Sequence, residues 1–208
     1  MAAKLEIRQR YPKQIKLAVG QPWSLRLRAG DVPDSRPASV RLMGAGDQAA
    51  ILEFARNLPE EDLLFLRTDI TDAVSVNEWI TNVENGNSVT LLAELDGSLL
   101  GYASVHLNPL RWTRRIGEVR INIAPKWRGS GLGKQLSAEI LALAPMLHLR
   151  KLTAQMVADQ KGARAVFERL GFRVEALLPN WVEDRNGKSH DLLVMAYELH
   201  DRPTQSAE

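Results

Sequence analysis

The segment Ile121-Asn-Ile-Ala-Pro-Lys-Trp-Arg-Gly-Ser-Gly-Leu-Gly-Lys134 constrains this chain more than any other part of it. An alternating stretch ends at Pro125, glycines stand at every second position (Gly129, Gly131, Gly133), and an amphipathic run opens at Leu132. The pattern predicts a strand, a tight loop and a helix in direct succession. Glycine lets the main chain approach a ligand closely and adopt left-handed dihedrals. A helix start adds unpaired N–H groups and partial positive charge. With Arg128 before the glycines and Lys134 after them, the expected product is a cradle for a phosphate or diphosphate. The plainer alternative is a turn whose glycines serve packing alone. Three glycines in five residues, flanked by bases at a helix start, argue against it.

Two common phosphate loops do not fit. A P-loop requires glycine where Arg128 stands and a hydroxyl where Gln135 stands. A dinucleotide fingerprint requires glycine where Lys134 stands.

The flanking pattern is mixed α+β. Ser39 to Met43 reads as a strand, and Asp47 is placed to cap a helix that Pro59 stops. Ser75 with Glu78 has the form of a capping box, for a helix ended by Gly86. Ser88–Glu94, Asp96-Gly97 and Leu99–Leu107 predict a β-hairpin. Ile116–Ala124 is the strand before the glycines. The helix after them carries Leu132, Leu136, Ile140 and Leu143 on one face and stops at Pro145. Lys151–Val157 is a strand. A further helix, with Ala163, Val166, Phe167 and Leu170 inward, ends at Gly171, and strands near 172–182 and 190–199 flank Asn186-Gly187.

Residues 1–38 read as a basic extension, with 8 Lys/Arg against 3 Asp/Glu, and residues 201–208 as a tail. Ile15–Val19 and Trp23–Arg28 alternate like strands, so a small hairpin packed on the domain or on a second subunit is expected there. Residues 53–96 carry 10 acidic and 2 basic residues. The chain has no cysteine, which removes disulfides, thiolate metal sites and a cysteine nucleophile. His106, His148, His190 and His200 lack metal-ligand spacing, so no metal is expected. The longest apolar run, Ile140–Leu147, is far short of the ~20 residues of a membrane span. The first residues lack the apolar core of a secretory signal, so a cytoplasmic location is expected.

Arg128, Gly131 and Gly133 meet the pattern R/Q-x-x-G-x-G/A behind a strand ending Ile-x-Ile-x-Pro. Phe167-Glu-Arg-Leu-Gly-Phe172 follows at the proper distance. On these motifs residues 39–200 resemble the GNAT superfamily of acyl-CoA-dependent N-acetyltransferases. The resemblance implies a mixed, mostly antiparallel central sheet flanked by helices, whose fourth and fifth strands (counted from Ser39) splay apart around acetyl-CoA. It also implies that Arg128, Gly129, Ser130, Gly131, Leu132, Gly133 and Lys134 hold the pyrophosphate. Ile121, Asn122 and Ile123 would pair with the pantetheine, and an amide of Ile123 or Asn122 would polarise the thioester carbonyl. Gln160 and Phe167 stand where the family carries a cofactor-side asparagine and the tyrosine that protonates the departing thiolate; Phe167 has no proton to give.

The implied reaction is direct attack by a primary amine on acetyl-CoA within a ternary complex, since no acyl-cysteine is available. Glu118 is the candidate base, the alternative being a plain ion pair with Arg120. Tyr197 and Tyr102 are candidate replacement acids, although either suits a core. Glu60, Glu61, Asp62, Asp69, Asp72 and Glu78 fall where the family covers its acceptor side, and predict a small cationic amine, a protein lysine or an N-terminus as acceptor. Trp127 and Trp181 are candidates for lining the site, with packing as the alternative; Trp79 is expected in the core. A homodimer is among the expectations, and a nucleic-acid or membrane partner is not. The other reading is a non-catalytic acyl-CoA-binding module whose basic arm recruits a partner.

Overall fold

The computed structural model describes residues 2–18, 35–63, 66, 68–108, 110–184 and 186–199. Among these, eight strands form one sheet. They are β1 (Lys13–Ala18), β2 (Ser35–Leu42), β3 (Ser88–Leu95), β4 (Ser98–Leu107), β5 (Ile116–Ile123), β6 (Lys151–Val157), β7 (Arg173–Glu183) and β8 (Ser189–Glu198). The spatial order is β1-β2-β3-β4-β5-β6-β8-β7, and every pair is antiparallel except β5 with β6. The helices are α1 (Ala2–Arg10), α2 (Gln48–Arg56), α3 (Glu60–Leu63), α4 (Ala73–Asn85), α5 (Leu132–Leu143) and α6 (Lys161–Arg169). This is the expected mixed sheet flanked by helices.

Two apolar cores sandwich the sheet. On one face Leu132, Leu136, Ile140 and Leu143 of α5 are fully buried with Phe167 of α6 and with Ile7, Tyr11 and Ile15. On the other, α2 and α4 bury Ile51, Phe54, Val76, Trp79 and Ile80 against Leu92 and Tyr102. Period 3.6 on the helices and period 2 on the strands make these stripes coincide. The hairpin turn at Asp96 (φ 51°) and Gly97 (φ 78°) has the two left-handed residues that match strand twist.

The first residues, expected as a basic extension packed on the domain or on a second subunit, add an edge strand to the sheet. Lys13–Ala18 pairs along its length with Ser35–Val40, so the sheet begins at β1, and β2 starts four residues before Ser39. The second expected strand of the arm, Trp23–Arg28, lies outside the described residues. The junction to α5 is ionic. Glu139, nearly buried, accepts from Tyr11 Oη (2.9 Å), Lys13 Nζ (2.5 Å) and Arg10 Nε (3.4 Å). Burial works to raise its carboxyl, but these partners hold it below the ordinary range, while burial and Glu139 push the Tyr11 phenol up.

Two caps also differ from expectation. The N-cap of α4 is Asp72, not Ser75; its carboxylate accepts from Ser75 N–H and Oγ, both at 2.8 Å. Asp47 makes no side-chain cap for α2. Its carboxylate turns back to Gly44 N–H (2.7 Å) and the Arg41 guanidinium (2.7 and 2.9 Å). An acidic side chain chooses the strongest donors in reach, and a guanidinium outcompetes a lone amide.

Replacing Glu139 with Gln keeps the shape but removes the charge, and should lower stability by about 1–3 kcal/mol in thermal or urea unfolding at pH 7. The depressed folded value means that the carboxylate stabilises above its unfolded pKa, and that this is lost as pH falls through the folded one. The variant should therefore lose less stability than the parent between about pH 6 and pH 3.

Candidate active site

The parallel pairing of β5 with β6 covers only Ile116↔Lys151, Gly117↔Leu152 and Glu118↔Thr153; beyond that the strands part. A cavity of about 1540 Å³ occupies the divergence and reaches both faces of the sheet. On β4's side the ladder continues to Gly101↔Ile123. Gly101 is required there: a Cβ would lie 2.6 Å from the Asn122 carbonyl oxygen and 2.8 Å from Ile123 Cδ1.

Backbone groups along a strand alternate between its two neighbours. The Ala124 N–H is taken by the Leu100 carbonyl of β4 at 2.9 Å. By alternation Asn122 and Arg120 also face β4, while Ile121 and Ile123 turn their amides into the cleft. Of the two amides expected as candidates, that of Ile123 faces the cleft and that of Asn122 faces β4. The Asn122 side chain hydrogen-bonds the Tyr102 hydroxyl.

The glycine loop lies at the same end of β5. Gly129 (φ 80°) and Gly131 (φ 84°) are left-handed, and Gly131 is the N-cap of α5. Gln135 N–H closes the first turn onto the Gly131 carbonyl (3.0 Å), which leaves the amides of Leu132, Gly133 and Lys134 without helical partners. Ser130 points inward: its hydroxyl donates to the Trp127 carbonyl (2.7 Å) and receives a long contact from Leu132 N–H (3.4 Å). Gly129, Gly131, Gly133 and Lys134 line the cavity. Arg128 lines it too, but its Nε donates to the Ile123 carbonyl (3.1 Å) and its Nη2 pairs with Asp62 of α3. That guanidinium fastens the loop to the end of β5 and to the opposite wall.

The far wall of this half is α6. Gln160 is its N-cap, with Oε1 accepting from Val157 N–H (3.2 Å). Phe167 is buried edge-on against Phe172 with ring centroids 5.0 Å apart. Both line the cavity. Tyr197 does not belong to it: its ring packs on Phe172 (5.6 Å) beside Gly171, at the β8 position paired with Leu152. The sequence placed it on the last strand but could not give the strand's register, which puts it at the closed end of the cleft. Tyr102 does line the cavity, fully buried on the other face, and burial pushes its hydroxyl up to about 12.

That other face holds a polar surface on which β5 contributes Glu118, Arg120 and Asn122, and β4 contributes His106, Ser104 and Tyr102 directly opposite. Arg120 Nε donates to Glu118 Oε1 (3.0 Å), and its Nη1 to Thr68 Oγ1 (3.2 Å). Trp181, expected to line the pocket or pack in the core, is 65 % exposed and lines the rim. Trp79 is buried, donating Nε1–H to Thr90 Oγ1 (3.1 Å), as a core residue should. Among the described acidic side chains expected on the acceptor rim, Asp62 alone lines the cavity, and it is paired with Arg128. Asp69 holds Thr71, and Asp72 caps α4. Among the described residues no group of His, Asp and Glu could hold a metal ion, and no helix is long and apolar enough to cross a membrane.

Residues 52–172, more than half of the chain, match the model of the Acetyltransferase (GNAT) family. The chain belongs to the GNAT acetyltransferase family. It is 26% identical over 172 residues to an L-methionine sulfoximine/L-methionine sulfone acetyltransferase of Pseudomonas aeruginosa, covering 82% of this chain and 98% of the relative. Over 85 residues it is 35% identical to a putative phosphinothricin acetyltransferase of Bacillus subtilis, 41% of this chain and 52% of that one. The fold superimposes on a putative acetyltransferase from Salmonella typhimurium solved with its cofactor acetyl-CoA, with a TM-score of 0.67, 22% identity, and 82% and 99% of the two chains covered. This GNAT enzyme is an acetyltransferase that uses acetyl-CoA as co-substrate, and the reading as a non-catalytic binding module falls away. The cleft fits that co-substrate, with orphan amides at one end and an unpaired strand edge along its length.

Sequence reasoning passed over the acceptor-face pairs. Their signal was present: Glu118, Arg120 and Asn122 alternate with Val119, Ile121 and Ile123, as Tyr102, Ser104 and His106 alternate with Ala103 and Val105. Gly131 offers a direct check on the loop. A Cβ there meets nothing closer than 3.9 Å, so Gly131→Ala acts through left-handed strain alone, about 1–2 kcal/mol. Calorimetric titration should show acetyl-CoA binding weakened about tenfold, and unchanged affinity would mean that this loop does not grip the diphosphate.

Proposed function

We propose that this GNAT enzyme acetylates the primary amine of a small acceptor that also carries a carboxylate, an amino acid or a close analogue, by direct attack in a ternary complex. The observation that carries the acceptor class is Arg120. Its guanidinium lines the acceptor-face cavity beside Glu118, where it suits a carboxylate better than a polyamine. Of the six acidic residues that argued for a cationic acceptor, Asp62, Asp69 and Asp72 are engaged in the Arg128 pair, a turn and a cap. The Pseudomonas aeruginosa relative, named for two amino-acid analogues, supports the same reading.

In this reading the glycine-loop amides and the start of α5 hold the diphosphate, and Lys134 adds charge beside them. Ile121 and Ile123 pair with the pantetheine as an added strand would. The Ile123 amide donates to the thioester oxygen as negative charge grows on it, an effect worth roughly 3 kcal/mol in comparable oxyanion sites. Glu118, which accepts from Arg120 Nε, takes the proton of the acceptor ammonium directly or through one water. Phe167 and Gln160 shape the wall beside the pantetheine. Among the described cavity residues Tyr102 is the one tyrosine, and its hydroxyl is held by Asn122 on the acceptor face. The CoA thiolate therefore departs without a phenol, which its modest basicity tolerates.

Glu118→Gln should lower kcat by about 10²–10⁴-fold with little change in the KM of acetyl-CoA; a variant of undiminished kcat would remove Glu118 from the base role. Arg120→Gln should raise the KM of amino-acid acceptors by about tenfold or more. In a panel of amines monitored by CoA release, polyamines outperforming every amino acid would refute the acceptor class.

A further inference from the structure

The sheet register joins Ser88↔His106, His106↔Glu118 and Glu118↔Thr153, one polar row crossing β3, β4, β5 and β6 on the acceptor face. Directly opposed residues carry their Cβ atoms about 4.5–5.5 Å apart, so an imidazole and a carboxylate in such a pair reach one another. We infer that His106 receives the proton that Glu118 takes from the acceptor ammonium, and passes it on from the site. This rests on Glu118 being the base, as proposed above.

Three observations carry the inference. His106 and Glu118 both line the cavity. The ring is held in place: Nε2 lies 2.9 Å from Ser104 Oγ, and the Trp79 ring lies 6.4 Å away at a 33° tilt. The Ser104 hydroxyl suits both protonation states, since it donates to a bare nitrogen and accepts from an N–H. The third is Ser88 Oγ, on the far side of His106 in the row, which is buried and has no hydrogen-bond partner in the protein. A buried hydroxyl left so costs about 1–3 kcal/mol, and a water beside the imidazole would satisfy it.

β5 presents Glu118 and Arg120; β3 presents Ser88 and Thr90, α4 presents Trp79, and β4 adds Ser104 and Tyr102, none of them charged. Arg120 Nε donates to Glu118 Oε1 (3.0 Å), and His106 is the residue directly opposite Glu118 on β4. Imidazole takes up and releases protons near neutral pH. The step balances: the ammonium N–H bond breaks and a Glu118 O–H forms. That bond then breaks as a His106 N–H forms, restoring the carboxylate and leaving an imidazolium that discharges to solvent. No redox change occurs.

The test compares the pH dependence of kcat and kcat/KM for the acceptor in the full chain, His106→Gln, His106→Ala and Glu118→Gln. His106→Gln should lower kcat about tenfold to a hundredfold at pH 7, leave the KM of acetyl-CoA unchanged and change the shape of the pH profile. Added imidazole should restore most of the rate of His106→Ala, because a free base fills the emptied place. A His106→Gln profile parallel to the parent, or a loss in His106→Ala that imidazole does not relieve, would overturn the relay and leave His106 a packing residue. If Glu118→Gln is crippled while His106→Gln is silent, only the relay fails; an undiminished Glu118→Gln removes the base itself and the relay with it.

Discussion

The early end of the pairing between β5 and β6 is the constraint on which the rest of this molecule depends. A buried strand edge is normally satisfied by its neighbour, because an unpaired amide or carbonyl away from water is costly. Here the ladder stops at Glu118↔Thr153, and the Ile121 and Ile123 amides face a cleft instead of β6. An extended ligand with its own amides is the natural occupant of such an edge. The opening also joins the two faces of the sheet. Gly101, too close to Ile123 to bear a side chain, keeps β4 tight against the remaining edge.

Helix α5 ties this opening to the outer parts of the chain. Its first turn leaves amides without helical partners at the cleft, its apolar stripe is fully buried under the sheet, and Glu139 on its third turn gathers Arg10, Tyr11 and Lys13. The first residues thus brace the helix whose N-terminal tip opens on the cleft. The ionic character of that junction, with a carboxylate held below its usual range, makes the brace responsive to acid.

β5 divides the chemistry by the period of a strand. Val119, Ile121 and Ile123 lie toward α5, where the co-substrate needs apolar walls and backbone amides. Glu118, Arg120 and Asn122 lie on the opposite face among polar residues of β4. Two residues apart on one strand, the proposed base and a guanidinium line one pocket without a loop to position them, which suits a reaction sensitive to small displacements. The polar row continues across the sheet through His106 and Ser88, so the proposed proton path and the fold share the same ladder.

The glycine loop, α5, α6 and the Asp96-Gly97 hairpin were legible in the residues, because each is decided by contacts within a few positions: a capping glycine, a buried stripe, a two-residue turn. The family motif was legible for the same reason. Local chemistry was read less well where alternatives competed, as at Asp72 and Ser75, or at Asp47, which Arg41 claims. What depended on distant partners could not be read. Pairing of β1 with β2, the grip of the first residues on Glu139, the placement of Tyr197 at the closed end of the cleft, and the pairing of His106 with Glu118 all require the strand register. A one-residue slip would move every side chain of a strand to the other face. The sequence by itself determined that a strand must run through glycines into a helix able to hold a diphosphate. Only the tertiary structure decided which polar groups meet across the sheet, because register is fixed by the whole packed core and not by any one segment.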